Sequence, residues 1–268
     1  MRRRRFGSSA ALTAQTDIKN WEYALETLAR APVSVVTVTY NNLEGLVRTL
    51  DSLKKLSVKP SEVLVMDGAS TDGTAAAVSR ISDGMPELRF VSERDAGIYD
   101  AMNKGRALAA SPLIHYLNAG DIVVGEPYAT VNEPTRLIVE ICETGERVAW
   151  QDFIKLRGFG YCHQGLIFPR SHPEYDTRYK ISGDLDVIMR TFPSGVFDLP
   201  VAPHGRVRYY LGGVSSRRSL LLDREVVKIA ARNQGLAAAL QLASIALGRH
   251  LLPRFLRRFY ARSFHLSR

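Results

Sequence analysis

The sequence predicts an α/β fold in which a mostly parallel sheet is flanked by helices. Short apolar runs rich in β-branched residues alternate with segments whose apolar residues recur every three or four positions. The runs have the length of buried strands, and the segments between them have the length of connecting helices. In addition, 46% of the 268 residues are hydrophobic, which is enough to bury a sizeable core.

The first strand and helix are the clearest pair in the chain. Residues 33–39 form an apolar run that begins after Pro32 and ends before two asparagines, which predicts a buried parallel strand. Apolar residues at three- and four-residue spacing over residues 43–53 then give a helix one apolar face. Residues 21–30 have the same spacing and end before Pro32, so we predict a short leading helix there.

The alternation continues through the first half of the chain. The further predicted elements are strands at 63–66, 88–91 and 113–117 and helices at 74–81 and 98–109. Strands joined by helices of this length form a parallel sheet with right-handed crossovers. Ligands of such sheets bind beyond the carboxyl ends of the strands, where the polar clusters DGASTDGT, RDAGIYDAMNKG and LNAGD lie. These clusters are therefore the candidate site.

The positive charge of the chain is concentrated at its two ends. The net charge is +9, but residues 2–5 contribute four arginines, and residues 226–268 contain one lysine and seven arginines with no Asp or Glu. Without these twelve, 24 basic residues stand against 27 acidic ones, so the body of the chain carries a charge of about −3. A nucleic-acid-binding core would carry the basic stripe itself. We therefore expect no nucleic-acid partner.

The cysteines and the apolar segments indicate a cytoplasmic protein. Cys142 and Cys162 are too few for a disulfide framework and lack the spacing of a metal site. The basic start is not followed by an apolar run of signal-peptide length. The most apolar later stretch, residues 236–247, is shorter than the roughly 20 residues that cross a bilayer, so we predict no transmembrane span.

Four strings in the first half, taken together, resemble family 2 glycosyltransferases. They are SVVTVTYNN, VLVMDGASTDGT, ERDAGIYDAMNKG and HYLNAGD, in order over residues 32–121, and the resemblance resumes at HQG and SGDLD. The strings are most similar to the subgroup that builds bacterial exopolysaccharides, colanic acid among them, and surface glycolipids, in which DGGSTDGT is typical. The resemblance implies a GT-A fold with a Rossmann-like sheet, a nucleotide-sugar donor and inversion at the anomeric carbon.

The resemblance assigns the polar clusters to the donor. Thr39 and Tyr40 match the positions that pack against the nucleoside, and Asp67 matches the carboxylate that contacts the base. The complete predicted nucleotide-sugar site is Thr39, Tyr40, Asp67, Ser70, Asp72, Asp95, Asp100, Asn103, Lys104 and Asn118. On the residues alone, a helix cap is the alternative for Asp72, and a solvated surface lysine is the alternative for Lys104. Because uracil and guanine both present N–H donors, the donor is a UDP-sugar or a GDP-sugar.

The LNAGD string departs from the DxD-like sequence that usually holds a divalent cation in the family. Asp121 is its only carboxylate, although Asn118 can offer an amide oxygen. One carboxylate with phosphate oxygens is within the range of Mg²⁺ sites, so we predict Mg²⁺ or Mn²⁺ as the cofactor. The predicted metal ligands are Asp121 and His163; the alternatives are a turn residue and a hydrogen-bonded structural histidine.

The string SGDLD supplies the predicted general base. Ser182 has the position of an N-cap and both acids fall in the first helical turn, which is the structural alternative. The resemblance makes Asp184 the base that takes the proton of the acceptor hydroxyl. We choose Asp184 over Asp186 because residues two apart on a helix point in different directions.

The predicted organisation has four parts. These are a basic extension with a short helix (1–31), a nucleotide-sugar-binding half (32–121), an acceptor-binding half (122–225) and a basic helical tail (226–268). Beyond residue 250, leucine and aromatic residues share one helical face and most arginines lie elsewhere, which fits an anionic membrane surface. A helix packed on the core is the alternative. We expect a cytoplasmic protein, peripherally associated with the inner face of the cell membrane, that acts on a lipid-linked or saccharide acceptor.

The predicted function is the transfer of a sugar from a nucleotide-diphosphate donor to a glycolipid or polysaccharide intermediate of the cell envelope. One alternative is a noncatalytic protein that binds a sugar nucleotide or a partner enzyme through the same cleft. The presence of a single carboxylate in the DxD-like element favours this alternative. Another is a basic nucleic-acid-binding protein, for which the chain offers charge at its ends but no recognised motif or aromatic platform.

Overall fold

The computed structural model describes residues 30–143, 147–149, 161–210 and 220–251. The strands are β1 (Arg30–Thr39), β2 (Lys59–Asp67), β3 (Leu88–Ser92), β4 (Leu113–Tyr116), β5 (Ile122–Gly125), β6 (Thr135–Glu143), β7 (Arg147–Ala149), β8 (Leu166–Pro169) and β9 (Val201–Tyr210). The helices are α1 (Leu43–Lys54), α2 (Thr74–Ser82), α3 (Ile98–Leu108), α4 (Gly183–Thr191), α5 (Leu220–Gln234) and α6 (Leu236–Leu251), with a 3₁₀ turn at His163–Gly165. The predicted leading helix and the aromatic part of the tail lie outside the described residues.

One sheet contains all nine of these strands, in the order β3-β2-β1-β4-β8-β6-β9-β5, with β7 paired to β6. The pairs among β1, β2, β3 and β4 are parallel, which confirms the prediction for the first half of the chain. In the second half β8 is antiparallel to β4 and β6, and β5 is antiparallel to β9, whereas β6 and β9 are parallel.

Strand β1 lies inside the sheet and is covered on both faces. Val36 and Val38 belong to the apolar cluster on one face, and Val33 and Val35 belong to the cluster on the other. This is the reason for the continuous apolar run in its sequence, since a strand with two buried faces does not alternate with polar residues.

Helices α1 and α3 pack on opposite faces of the sheet and begin beside its carboxyl edge. Helix α1 is capped by Asn42, whose side chain accepts the Gly45 amide, and it buries leucines at 46, 50 and 53. Helix α3 approaches β1 so closely that a Cβ on Gly105 would lie 2.5 Å from Val36 Cγ1. Both helix N-termini therefore lie next to the strand ends that carry the polar clusters.

Helix α5 is integrated into the body of the protein. Ile229 and Ala230 are fully buried, and Ile229 joins the apolar cluster that includes α4 residues. Helix α6 follows and presents several leucines to solvent, among them Leu236 and Leu240. Within the described residues, none of the helices combines the length and the hydropathy needed to cross a membrane.

Candidate active site

The loops after β1 and β2 are tied to each other at the carboxyl edge of the sheet. The backbone amide of Asn41 donates to Ser70 Oγ at 2.7 Å, and the backbone amide of Thr71 donates to the side-chain Oδ1 of Asn41 at 2.9 Å. The Leu43 amide donates to Asp72 Oδ2 at 2.9 Å. Asp72 also accepts from both the amide and the hydroxyl of Thr74. Ser70 and Asp72 therefore shape the two loops, and their predicted contacts with the donor stay predictions.

Asp67 organises the turn at the end of β2. Its carboxylate is 3% exposed and accepts from the Ser70 amide at 3.0 Å, from the Ser70 hydroxyl and from the Ser92 hydroxyl at 2.6 Å. The turn holds Ala69 at φ 62°, a left-handed conformation that costs a non-glycine residue about 1 kcal/mol. Any contact between Asp67 and a base would be added to these three bonds.

Tyr40, Gly68 and Asp95 lie together at the surface beside Asp67. A Cβ on Gly68 would lie 2.7 Å from Asp95 Oδ2 and 3.2 Å from Tyr40 Cδ2, so the glycine is what allows both side chains to approach the backbone this closely. Tyr40 is 66% exposed, and Asp95 Oδ1 accepts the Gly97 amide at 2.9 Å. Thr39 directly precedes Tyr40, and its Oγ1 is buried without a hydrogen-bond partner among the described atoms. An aromatic face with an adjacent carboxylate suits a planar base that presents N–H groups.

The acidic and basic residues of the α3 string fold back on the preceding loop. Asp100 Oδ2 accepts the Ala96 amide at 3.0 Å. Lys104 donates to the Arg94 carbonyl at 2.8 Å and pairs with Glu93 at 2.9 Å and with Asp100 at 3.5 Å. The hydrogen bond to Glu93 raises the pKa of Lys104. These contacts hold the start of α3 against the loop that follows β3.

Asn103 connects α3 to the loop after β8. Its amide nitrogen donates to the Tyr175 carbonyl at 2.9 Å, and its amide oxygen accepts the Tyr175 N–H at 2.8 Å. The Tyr99 ring stacks on the Tyr175 ring with centroids 5.6 Å apart. Thus the YDAMN string holds α3 against the loop after β8.

The LNAGD turn is held against α1 by a threonine hydroxyl. Thr49 Oγ1 accepts the Gly120 amide at 2.9 Å and donates to the Asp121 carbonyl at 2.7 Å. Gly120 has φ 115°, a conformation for which glycine is favoured. Asn118 Oδ1 is buried without a hydrogen-bond partner among the described atoms, so it is an oxygen available to a ligand.

Asp121 is a buried carboxyl that the end of β9 contacts. It is 5% exposed, and Oδ1 accepts the Tyr210 amide at 3.0 Å. Burial raises the pKa of Asp121 to about 7, while the Tyr210 amide and the charge of Arg48 oppose this shift. The Arg48 guanidinium lies 4.6 Å from the centroid of the Tyr210 ring. Sequence reasoning missed Arg48 and Tyr210, because their place depends on a contact between residues 89 positions apart.

His163 lies in an aromatic cluster with Tyr116, Phe168 and Tyr175. Its Nε2 is 2.6 Å from the Tyr175 hydroxyl oxygen, and burial lowers the pKa of His163 to about 3. The ring is therefore neutral at physiological pH. Metal ligation through Nε2 would have to replace the bond to Tyr175, and this role stays a prediction.

The two acids of SGDLD have different surroundings at the start of α4. Asp186 is fully buried and binds Arg190 Nε at 2.8 Å and Asn233 Nδ2 at 3.1 Å. Asp184 is half-buried, and its Oδ1 accepts the Leu185 amide at 2.9 Å. Burial raises the pKa of Asp184 to about 6 against the opposing effects of backbone amides and of the Tyr99 hydroxyl. Asp186 is thus engaged in packing, and Asp184 is the acid suited to proton transfer.

The Cys162 thiol is affected by the charges of Asp184 and of Asp121 in the LNAGD turn. Burial raises the pKa of Cys162, and the charges of Asp121 and Asp184 both add to the shift. The thiol therefore lies within electrostatic reach of both acids. Its Sγ is 3.2 Å from Gln164 Oε1.

In the described residues there is no group of three or more His, Cys, Asp and Glu side chains that could hold a metal ion. Oxygens at 118 and 121 would need phosphate oxygens or water to complete a Mg²⁺ shell.

The sequence is similar to known glycosyltransferases. Residues 34–126 match the family model described as Glycosyl transferase family 2. An uncharacterized glycosyltransferase of Mycobacterium tuberculosis is 39% identical over 90 residues, which are 33% of this chain and 34% of that protein. The match thus spans about a third of the length of the first relatives. A PGL/p-HBAD biosynthesis glycosyltransferase of Mycobacterium bovis is 27% identical over 220 residues, 75% of this chain and 84% of that protein.

Solved structures share the fold. TarS 1-349 of S. aureus in complex with UDP aligns with a TM-score of 0.56 and 16% identity over 81% of this chain and 71% of that chain. Mannosyltransferase PcManGT from Pyrobaculum calidifontis in complex with GDP-Man and Mn²⁺ aligns with a TM-score of 0.56 and 17% identity over 96% and 90% of the two chains. At these identities the likeness concerns the fold alone, and it confirms the predicted GT-A type.

Proposed function

We propose that this chain, which carries a family 2 glycosyltransferase domain of the GT-A fold, transfers a sugar from a nucleotide-sugar donor during glycan biosynthesis. The observation that carries the proposal is that an exposed aromatic ring beside a carboxylate, and two acids with raised pKa values, lie around the carboxyl edge of one sheet. Asp121 has a pKa of about 7 and Asp184 a pKa of about 6. Perturbed carboxyls around a cleft are typical of sites that bind charged substrates and transfer protons.

The donor would place its base on the exposed face of Tyr40, next to Asp95. Tyr40 offers an exposed ring, and Gly68 allows Asp95 to lie close beside it. A UDP-sugar or a GDP-sugar suits this surface, because both bases present N–H donors to a carboxylate. TarS and PcManGT have been solved with UDP and with GDP-Man, which supports a nucleotide-sugar partner without choosing the base.

The diphosphate would lie at the LNAGD turn. Asn118 Oδ1 and the Asp121 carboxylate are hard oxygen donors that suit Mg²⁺ or Mn²⁺. When bound, such an ion neutralises the charge that develops on the departing diphosphate. Asn118 and Asp121 would hold the ion, and Thr49 would hold the turn in place.

Asp184 would act as the general base for inversion. A direct displacement needs a carboxylate on the side opposite the leaving group to accept the proton of the acceptor hydroxyl as the new bond forms. Because the pKa of Asp184 is raised only to about 6, the group is ionised at neutral pH and is a stronger base than an ordinary aspartate.

The acceptor is proposed to be a lipid-linked or saccharide intermediate presented at an anionic membrane surface. Helices α5 and α6 expose apolar side chains at Leu220, Leu221, Leu236, Leu240 and Leu247. Arg224 and Lys228 are exposed on α5. Apolar side chains next to basic ones favour the interface of an anionic bilayer. Sedimentation with phosphatidylglycerol vesicles at low salt tests this part, and protein that stays in solution would refute it.

Calorimetry of the purified protein with UDP and with GDP, first with Mn²⁺ and then with EDTA, tests the proposed function. We expect metal-dependent binding of one of the two diphosphates. The Asp184→Asn variant should bind the same nucleotide with unchanged affinity but should transfer no sugar. If neither nucleotide binds, the proposal is wrong. If binding is retained but wild type shows no turnover with a broad set of acceptors, the noncatalytic alternative, motivated by the single carboxylate of LNAGD, takes its place.

A further inference from the structure

Glu225 of α5 is a buried acid that binds three successive backbone amides. Its carboxylate accepts the amides of Lys180 at 2.7 Å, Ile181 at 3.0 Å and Ser182 at 2.8 Å, and the residue is 7% exposed. Hydrogen bonds of N–H groups to a carboxylate are roughly twice as strong as neutral ones. Three of them fix the course of this short segment.

The segment bound by Glu225 leads directly into the turn that carries Asp184. Helix α4 begins at Gly183, and Ser182 is its N-cap residue but makes no side-chain cap hydrogen bond. The start of α4 is therefore not held by its own cap. A Cβ on Gly183 would lie 2.8 Å from the Tyr99 ring, so the turn is also pressed against α3.

A second contact holds α4 on the other side of Asp184. Asn233 of α5 donates to Asp186 Oδ1 at 3.1 Å, and Ile229, between Glu225 and Asn233, is fully buried. Helix α5 thus binds both the segment that precedes α4, residues 180–182, and the first turn of α4 at Asp186. Asp184 lies between these two contacts.

We propose that Glu225 is a positioning residue for the general base, which orients Asp184 through the amides of residues 180–182 and places a negative charge near its carboxyl. This inference rests on the proposed function, since it assigns Glu225 a part in the reaction of Asp184. It gives α5, which lies far along the chain from the donor strings, an indirect part in catalysis.

The charged surroundings of Asp184 support the electrostatic half of the proposal. The ionisable groups that face its carboxyl are Tyr99 from α3, Tyr175 from the loop after β8, Cys162 before the 3₁₀ turn, and Glu225 from α5. Burial raises the pKa values of the tyrosines and the thiol, so these groups are neutral at pH 7. Burial is the main cause of the raised pKa of Asp184, and the charge of Glu225 adds to it, so the loss of this charge would make Asp184 a weaker base.

The test compares Glu225→Gln with Asp223→Asn, a control that removes the same charge from the same helix two residues away. In Glu225→Gln the side chain keeps its length but loses one acceptor oxygen and its charge. We expect faster hydrogen exchange of the amides at 180–182 and a kcat for diphosphate release from the donor lower by tenfold or more. The donor KM should remain within about threefold. The acid limb of the pH–rate profile should move to lower pH, because the pKa of Asp184 falls. Asp223→Asn should change none of these.

The Glu225→Asp variant keeps the negative charge but shortens the side chain, so it tests the effect of the geometry without the effect of the charge. It also replaces Glu225→Gln as the test if that variant does not fold. It should lower kcat and amide protection while leaving the acid limb at its wild-type pH. If Glu225→Gln matches Asp223→Asn in kcat, acid limb and exchange, the proposal is wrong. If wild type releases no diphosphate from any donor, the proposed function fails instead. NMR titration of the ¹³C-labelled Asp184 carboxyl then decides, and an identical pKa in wild type and Glu225→Gln would overturn the role of Glu225.

Discussion

The burial of Asp184 carries a cost in stability that the Asp184→Asn variant should remove. Burial raises the pKa of this carboxyl from 3.8 to about 6, and each pKa unit corresponds to about 1.4 kcal/mol. Ionised Asp184 therefore costs the folded state about 3 kcal/mol at neutral pH. Because the folded pKa is the higher of the two, the folded protein binds more protons between about pH 4 and pH 6, and its stability falls as the pH rises through this window.

The substitution should separate activity from stability. Asp184→Asn keeps a side-chain oxygen that can accept the Leu185 amide, but it cannot take a proton. We expect kcat to fall by about 10²- to 10⁴-fold, which is the usual contribution of a general base. At pH 8 the free energy of unfolding should rise by up to about 3 kcal/mol, because the ionisation cost is absent. Below about pH 4 the two proteins should be equally stable, since Asp184 is then protonated in both states.

Urea unfolding of wild type and variant at pH 8, 6 and 4 measures this difference. The Asp223→Asn variant is the control, because it removes one negative charge from a half-buried position on α5. A variant that is less stable than wild type at pH 8, or a gain in stability that does not shrink as the pH falls, would refute the reasoning. Turnover that persists in Asp184→Asn would refute the assignment of the base.

Three further predictions concern single substitutions. In Gly68→Ala the added Cβ would lie 2.7 Å from Asp95 Oδ2 and should displace this carboxylate. Calorimetry should therefore find roughly tenfold weaker nucleotide binding with the melting temperature unchanged, and unchanged affinity would exclude the surface formed by Tyr40 and Asp95 as the base site. The Asp121→Asn variant should lose the part of its nucleotide affinity that depends on Mn²⁺, and its affinity in EDTA should equal that of wild type. If the affinity of the variant depends on Mn²⁺ as fully as that of wild type, Asp121 is excluded as a metal ligand. In Gly105→Ala the Cβ would lie 2.5 Å from Val36 Cγ1, and the strain should lower the free energy of unfolding by about 1–3 kcal/mol; a raised urea midpoint would contradict it.

The first half of the fold could be predicted because its signals are local. The apolar run at 33–39 lies within β1 (Arg30–Thr39), and the spacing over 43–53 matches α1 (Leu43–Lys54). In both cases the pattern of one segment reports which of its faces are buried. The gathering of DGASTDGT and LNAGD at one edge followed from the parallel order of the strands.

The second half could not be predicted in this way. Strand β9 (Val201–Tyr210) pairs with β6 (Thr135–Glu143) across a register shift, and nothing within either segment indicates the partner. The bonds from Tyr210 to Asp121 and from residues 180–182 to Glu225 use backbone amides. A backbone amide is present at every residue except proline, so such contacts leave no trace in side-chain patterns.

The paired bonds between Asn103 and the Tyr175 backbone bear on how chains of this fold could be recombined. A hybrid that joins the first half of this chain to the second half of a relative would keep the sequence strings of residues 32–121 intact and would still separate these two partners. The side-chain amide of Asn103 would then face a loop with a different backbone course, which would leave a hydrogen-bond donor and an acceptor unpaired at the junction. The loops after β1 and β2 are therefore best exchanged by themselves, while α3 stays with the half that contains Tyr175.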